Sequence, residues 1–374
     1  MIHRNITNYQ YELDILRALA CFLVIWQHVT ECYYIQPDFT INNSPDITMI
    51  GWINSLTPIE VPLFVMISGY FLLPMKSDLT QFFRKRALRV VYPFVIWCIV
   101  YAIYYYFKRN DTIQDVINNI LHIPVNFGTE VGHLWFIYMI LGLYILTPVI
   151  SPWLEQCSKK QLQGYLCLWG FTNCIPYIHL VFPAILGECF WNPSPMLYYF
   201  TGFAGYYILG FYIRRYNSLS SRTSLILIVT GYLFTAFFYQ YRINVATSVS
   251  ELELGWRFCA INISLMAFGV FSLIKNIHWK QNGLTAGFIK DLSRKSYAVY
   301  FIHLIIVQYL HPAISQTDLP IYINIPLITT ICFICSYLII SLLYLIPGIN
   351  KYIDRKSTRL NSSHVALSRM PSSA

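Results

Sequence analysis

The chain has 374 residues, of which 56% are hydrophobic, 17% aromatic and only 11% charged, and its mean hydropathy is +0.49. Soluble domains carry about a quarter charged residues, so the composition argues against a soluble enzyme, a nucleic-acid binder and a disordered protein. The formal net charge of +9 would by itself suggest nucleic acid as a partner. The positions of the basic residues along the chain explain this positive charge in another way.

Apolar windows predict an all-α polytopic membrane protein with about ten transmembrane helices. The predicted spans cover residues 13–35, 56–74, 88–107, 133–151, 163–181, 197–213, 222–241, 256–274, 296–312 and 321–347. Between the third and fourth spans, residues 110–122 carry apolar side chains at helical spacing, which indicates an amphipathic helix on the membrane surface. We therefore expect residues 1–353 to form one membrane domain.

The basic residues between the predicted spans are concentrated on one side of the membrane. Of the 22 basic residues before Asp354, 17 fall on one side, four fall on the other, and Arg17 lies within the first span. The positive-inside rule places the richer side in the cytoplasm, together with both termini. The basic excess is thus a topology signal that requires no nucleic-acid partner.

The composition changes abruptly after Ile353. Residues 354–364, DRKSTRLNSSH, resemble the codon-by-codon translation of a sequencing adapter, and SRMPSSA from Ser368 resembles its continuation. We therefore expect residues 354–374 to be an artefact, disordered if they are real. They are left out of the functional interpretation.

The first span contains Asp14, Arg17 and His28. Arg17 and His28 are eleven residues apart, so they share one helix face about 16 Å apart at the usual helical rise. Asp14 can pair with Arg17. Because ionisable residues within a span usually face a cavity or a partner, we predict that His28 is a general base and that Arg17 binds an anionic donor. The alternative is a snorkelling cation and a hydrogen-bonded packing histidine.

The second and third spans add four candidate residues. Glu60 lies near the outer end of the second span, and Ser68 lies mid-span before a glycine that indicates close helix packing. Arg86 and Arg89 lie at the cytoplasmic end of the third span. These arginines either anchor the helix at the membrane surface or bind the phosphates of a cytoplasmic cofactor.

Later spans contribute further aromatic and ionisable candidates. His133 and Trp135 open the fourth span near the outer face, and His303 lies mid-membrane in the ninth. His303 is either a core histidine or a second polar residue of the site. Cys332 and Cys335 form a CxxC within an apolar run, where cysteine acts as a small hydrophobic residue. We expect no metal site.

Five motifs in this order resemble the acyltransferase 3 family of bacterial integral-membrane O-acyltransferases. They are Arg17-x10-His28 after an aspartate, FVMISGYFL, Arg86-x2-Arg89-x3-Pro93, HLWFIYMILGLY and SYAVYFIH. The resemblance covers about residues 10–310 and implies the same ten-helix architecture. It also implies catalytic roles for Arg17 and His28, and binding of an acyl-CoA donor by Arg86 and Arg89. The stretch FIYMILGLY is closer to the branch that contains sugar and polysaccharide acetyltransferases.

The resemblance implies transfer of an acetyl or succinyl group from cytoplasmic acyl-CoA to a hydroxyl of a cell-envelope glycan, an exopolysaccharide or a lipid-linked sugar. His28 would deprotonate that hydroxyl or a relay group, and a serine-acyl intermediate on Ser68 lacks an adjacent base in the sequence. The expected location is the bacterial cytoplasmic membrane, with lipids and polysaccharide-biosynthesis proteins as partners. The alternatives are a transporter of polysaccharide or lipid intermediates and a sensor or assembly subunit without chemistry.

Overall fold

The computed structural model describes residues 9–183, 185, 197–317 and 319–353, and helices dominate these ranges. Within them there is no β-strand, and Ile35 and Ile41 form an isolated bridge. The prediction of an all-α protein is confirmed. The segment predicted to be an adapter artefact, 354–374, lies outside the described residues.

The helices follow one another with short connections. The first eight are α1 (Tyr11–Tyr34), α2 (Ile47–Asn54), α3 (Glu60–Leu72), α4 (Leu79–Arg86), α5 (Tyr92–Lys108), α6 (Ile113–Leu121), α7 (Phe127–Glu130) and α8 (Trp135–Gln156). The others are α9 (Lys159–Thr172), α10 (Ile175–Val181), α11 (Ala204–Tyr216), α12 (Ser221–Ile243), α13 (Val249–Leu252), α14 (Ile261–Asn276), α15 (Leu284–Ile314), α16 (Ile321–Leu343) and α17 (Asn350–Ile353).

Within the described residues, eight helical segments are long and apolar enough to cross a membrane. They are Tyr11–Tyr34, Ile47–Leu72, Leu79–Lys108, Trp135–Gln156, Ser221–Ile243, Val249–Asn276, Leu284–Ile314 and Ile321–Leu343. Each overlaps one of the predicted spans, so the prediction of a polytopic protein is confirmed. The second, third and sixth segments are assembled from shorter helices with a short 3₁₀ or π helix between them, and in the sixth a turn at residues 257–260 precedes α14.

The fifth and sixth predicted spans form shorter helices than expected. The fifth is divided into α9 of 14 residues and α10 of 7 residues. Pro176 lies in the first turn of α10, because proline has no amide hydrogen to continue a preceding helix. Gly202, within the sixth, has a positive φ of 84°, and α11 begins only at Ala204. The expected ten spans thus correspond to eight long segments and these three shorter helices.

The ninth predicted span is the C-terminal part of a longer helix. The sequence predicted 296–312, whereas α15 runs for 31 residues from Leu284. Its first three turns are polar, and the apolar window therefore missed them. These turns carry Lys290, Asp291 and Arg294 alongside the N-terminal half of α1.

The predicted amphipathic helix at 110–122 is α6. Thr112 begins it with a capping box, in which its hydroxyl accepts from the Asp115 amide and the Asp115 carboxylate accepts from the Thr112 amide. Hydrogen bonds from the hydroxyl and amide of Thr112 lower the pKa of Asp115. Ile113, Ile117 and Leu121 are exposed along one side. The helix is confirmed, and its location on the membrane surface stays a prediction.

Helix α1 lies at the centre of the helix packing. It contacts α3, α14, α15 and α16. Leu16 and Leu23 belong to one buried apolar cluster, together with α3, α8 and α11, whereas Ile25 and Val29 belong to a second, together with α5, α15 and α16. Because α1 is held on two sides by apolar contacts, its polar side chains have fixed positions.

Helices α3 and α11 pack with their main chains in close contact. A Cβ added at Gly69 would overlap the carbonyl oxygen of Tyr207, and one added at Gly210 would overlap the carbonyl oxygen of Met66. Each glycine therefore lets its helix approach the main chain of the other, as small residues do between transmembrane helices. This contact fixes α3, which carries Ser68 and Glu60.

We expect Gly69→Ala to lower the unfolding midpoint of the detergent-purified protein. The added methyl meets main chain, which cannot rotate away, and such overpacking costs about 1–3 kcal/mol. The control is Gly142→Ala in α8, where an added Cβ meets nothing within 4 Å. Thermal unfolding of both variants provides the measurement, and equal midpoints would contradict the proposed close contact.

Candidate active site

Helix α1 carries ionisable residues along one face, at both ends of its buried length. Arg17 Nη1 lies 3.2 Å from Asp14 Oδ1, near the start of the helix. Three turns later, His28 Nδ1 lies 2.7 Å from Glu31 Oε2. The two pairs line different cavities, which we name the inner and the outer cavity.

The inner cavity has a volume of about 690 Å³ and a strongly basic lining. Arg17 reaches it from α1, while the end of α4 and the π helix that follows it contribute one arginine each and α15 contributes two further cations. These four side chains are Arg86, Arg89, Lys290 and Arg294. Positive charge from three parts of the chain therefore converges on one space.

Arg17 is held in place by a polar and an aromatic contact. Its partner Asp14 also accepts a hydrogen bond of 2.6 Å from the hydroxyl of Ser293 on α15. The guanidinium lies 5.2 Å from the ring centroid of Phe71, within the range of a cation–π contact. The orientation of Arg17 is therefore fixed jointly by α1, α3 and α15.

Ser68 lines the inner cavity without a visible base. Its hydroxyl donates a hydrogen bond of 2.9 Å to the carbonyl oxygen of Phe64, one turn earlier. Arg86 and Tyr144 are part of the same wall, with the guanidinium 5.7 Å from the tyrosine ring. The described lining of this cavity includes no histidine. The geometry therefore gives no support to an acyl intermediate on Ser68.

The outer cavity has a volume of about 560 Å³ and carries acids and histidines. Its ionisable lining includes His28, Glu31, Glu60, His133 and Glu253. The side chain of Glu253 is fixed by the hydroxyl of Tyr34, which donates a hydrogen bond of 2.6 Å to Oε1. The outer cavity thus differs sharply in charge from the inner one.

Three histidines from α1, α15 and the segment before α8 form one cluster. The ring centroid of His28 lies 5.3 Å from that of His303 and 6.1 Å from that of His133, and the latter two are 4.9 Å apart. His303 Nδ1 lies 2.6 Å from the carbonyl oxygen of Tyr300 and donates to it. Among the described residues, His303 Nε2 and both ring nitrogens of His133 have no hydrogen-bond partner.

One wall of the outer cavity is aromatic. The rings of Trp135 and Phe258 are stacked, with centroids 5.6 Å apart and an interplanar angle of 26°. Phe203 lies 5.8 Å from Trp135 and extends the same wall. Flat apolar surface beside converging polar groups is typical of small-molecule sites.

Four residues line both cavities. They are Val24, Val61, Phe136 and Tyr300, from α1, α3, α8 and α15. The Tyr300 hydroxyl donates to the carbonyl oxygen of His133, which holds this ring between the two spaces. We name these four residues the partition, because the inner and outer cavities meet across their side chains.

Comparison with known protein families identifies the scaffold. The family model for the acyltransferase domain, acyltransferase 3, matches residues 10–345, nearly the whole chain. The chain belongs to the acyltransferase 3 family. No curated protein and no solved structure matches the sequence significantly.

The structure of this acyltransferase 3 protein separates the predicted site residues into two groups. Those lining the inner cavity are Arg17, Ser68, Arg86 and Arg89, and those lining the outer cavity are His28, Glu60, His133 and Trp135. His303 packs against the histidines of the outer group. The chemical roles of all nine residues stay predictions.

Several residues of this acyltransferase were missed by sequence reasoning. Glu31 lies one turn after His28, and its spacing alone could have indicated a partner for the imidazole. Lys290 was assigned only to the cytoplasmic side, because its helix was predicted to begin later. Glu253 and Tyr300 have no local signal, since only tertiary packing brings them to α1.

The arrangement suits acid–base chemistry at the outer cavity. Because His28 Nδ1 donates to Glu31, the other ring nitrogen is left to accept a proton. Within the described residues, no group of three or more His, Cys, Asp or Glu side chains has the arrangement of a metal site. The inner cavity instead offers guanidinium groups, which bind phosphate with paired hydrogen bonds.

Proposed function

We propose that this acyltransferase moves an acetyl or succinyl group from cytoplasmic acyl-CoA to a hydroxyl of a cell-envelope glycan or exopolysaccharide. The observation that carries the proposal is the meeting of a basic cavity and a histidine-lined cavity at the partition. A donor with several phosphates fits the first cavity, and a hydroxyl that must lose a proton fits the second. Membership in an acyltransferase family favours this reaction over transport.

The inner cavity is the proposed donor site. Arg17, Arg86, Arg89, Lys290 and Arg294 surround a space large enough for the phosphate-bearing part of CoA. The excess of basic residues in the loops on this side supports a cytoplasmic position for the cavity, where acyl-CoA is made. The thioester would extend from there towards the partition.

The outer cavity is the proposed acceptor site. His28 removes the proton of the acceptor hydroxyl, and the oxygen attacks the thioester carbonyl at the partition. The carbon–sulfur bond then breaks, the ester forms, and the CoA thiolate leaves with the proton that His28 had taken up. Glu31 keeps the imidazole oriented throughout this cycle, because it holds Nδ1.

The test uses the double variant Arg86→Gln/Arg89→Gln in proteoliposomes with labelled acetyl-CoA and envelope glycans. We expect the KM for acetyl-CoA to rise at least about 100-fold, since hydrogen bonds to charged groups contribute about 1.5–3 kcal/mol each and the variant removes two arginines. The control is Arg84→Gln/Lys85→Gln, which removes two exposed charges from the same helix outside the described lining of the inner cavity.

Absence of labelled glycan with the wild-type protein would reject the proposed reaction. An equal rise of KM in both double variants would show that the arginines act only through general surface charge. Retained transfer with an unchanged KM in Arg86→Gln/Arg89→Gln would place the donor elsewhere.

A further inference from the structure

The outer cavity has an excess of acidic groups. Glu31, Glu60 and Glu253 line it. Among its described lining residues, Arg257 is the one lysine or arginine. Arg257 Nη2 lies 3.2 Å from the hydroxyl of Ser250, to which it donates. An acceptor that enters this space therefore meets three carboxyl groups and one guanidinium.

The cavity also contains buried polar atoms that lack a partner. Glu60 is 2% exposed, and its Oε2 has no hydrogen-bond partner among the described residues. His133 is also 2% exposed, with both ring nitrogens unpartnered in the same part of the chain. Leaving a buried polar group unsatisfied is unfavourable, and a neutral imidazole has one donor and one acceptor nitrogen. A ligand whose hydroxyl groups both donate and accept hydrogen bonds is therefore favoured here.

The aromatic wall provides the second half of the recognition. The stacked rings of Trp135 and Phe258 present a flat apolar surface in the same cavity as these polar groups. A sugar ring matches both features, because its C–H face is apolar and its rim carries hydroxyl donors. A carboxylate, phosphate or sulfate on that sugar would face the acidic groups and be repelled.

We infer that the acceptor bound in the outer cavity is an uncharged or amine-bearing sugar, and that Glu253 excludes anionic sugars. The inference rests on the proposed function, and it specifies the substrate class of the same site. Glu253 is the residue to alter, since Glu31 holds the imidazole of His28. The Tyr34 hydroxyl keeps the Glu253 carboxylate in place, so it cannot turn away from a negatively charged ligand.

The experiment offers two pools of oligosaccharides to the full-length protein in proteoliposomes. Envelope glycans from cells that lack the gene are cut into short fragments and separated by anion exchange. The anionic pool is supplemented with oligosaccharides of glucuronic acid. Labelled acetyl-CoA is added, and the label incorporated into equal amounts of each pool is measured.

We expect the uncharged and cationic pool to be labelled at least about ten times faster than the anionic pool, since a like-charge contact costs several kcal/mol. Glu253→Gln should reduce this preference by about tenfold. The matched control is Glu251→Gln, because Glu251 pairs with Arg242 at 3.3 Å and is not part of the described lining. That variant should keep the wild-type ratio.

Equal labelling of both pools by the wild-type protein would overturn the inference while leaving the acyl transfer itself intact. A wild-type ratio in Glu253→Gln would likewise reject Glu253 as the selective residue. No label in either pool would instead reject the proposed function.

Discussion

Replacing His28 with alanine should reduce acyl transfer by about 10²- to 10⁴-fold, the usual contribution of a positioned general base. The rate falls because the acceptor hydroxyl keeps its proton and attacks the thioester poorly. Binding of acetyl-CoA should change little, since the basic inner cavity lies beyond the partition. Initial rates with labelled acetyl-CoA and a separate CoA-binding measurement check the two expectations.

The matched control for this substitution is His122→Ala. His122 follows the end of α6 and belongs to the described lining of neither cavity. Its removal should leave transfer at the wild-type rate. If His28→Ala binds CoA normally and still transfers the acyl group at the wild-type rate, then His28 has no part in the reaction.

Filling the partition should stop transfer without removing the donor. Val61 is 7% exposed and lines both cavities, so the indole of Val61→Trp must occupy the region where they meet. A displacement of about 1 Å between reacting groups can cost 10²-fold in rate. We therefore expect a loss of at least about 100-fold in transfer, while the affinity for CoA stays within a few-fold.

Two smaller changes at the same position keep this test informative. Val61→Ala removes volume and should retain transfer, whereas Val61→Phe should give an intermediate loss. CoA binding reports whether each variant is folded. Wild-type transfer by a folded Val61→Trp protein would show that the acyl group does not pass between these four side chains.

Local geometry made the α1 part of the site predictable. Asp14, Arg17 and His28 lie within one helix, so their shared face follows from the residue spacing alone. The same rule would have revealed Glu31. The spacing of residues in α1 does not predict two cavities or show that Val24 lines both. Both features depend on the helices that pack against α1.

The remaining site residues come together through tertiary structure. His133 and His303 are 170 positions apart in the chain, yet their ring centroids lie 4.9 Å apart. No spacing rule applies at such a separation. Tyr300 escaped attention for the same reason, although its span was recognised, and Glu253 lies just before the predicted span 256–274.

The number and length of the helices were only partly predictable. Hydropathy windows detect apolar length, and they found all eight long segments. They did not weigh the helix-breaking effect of Pro176 or the positive φ of Gly202, which shorten the fifth and sixth predicted spans. They also ended the ninth span where polar residues begin, although α15 continues to Leu284 as a helix.

The partition has an energetic consequence for the cell. If CoA and sugar approach from opposite sides, as we propose, a metabolite that never leaves the cytoplasm drives ester formation outside it. In that reaction only the few atoms of the acyl group cross, and CoA stays on the side where it is acylated again. The four side chains also fill the position where an open path would leak ions, so the envelope can be modified without discharging the membrane.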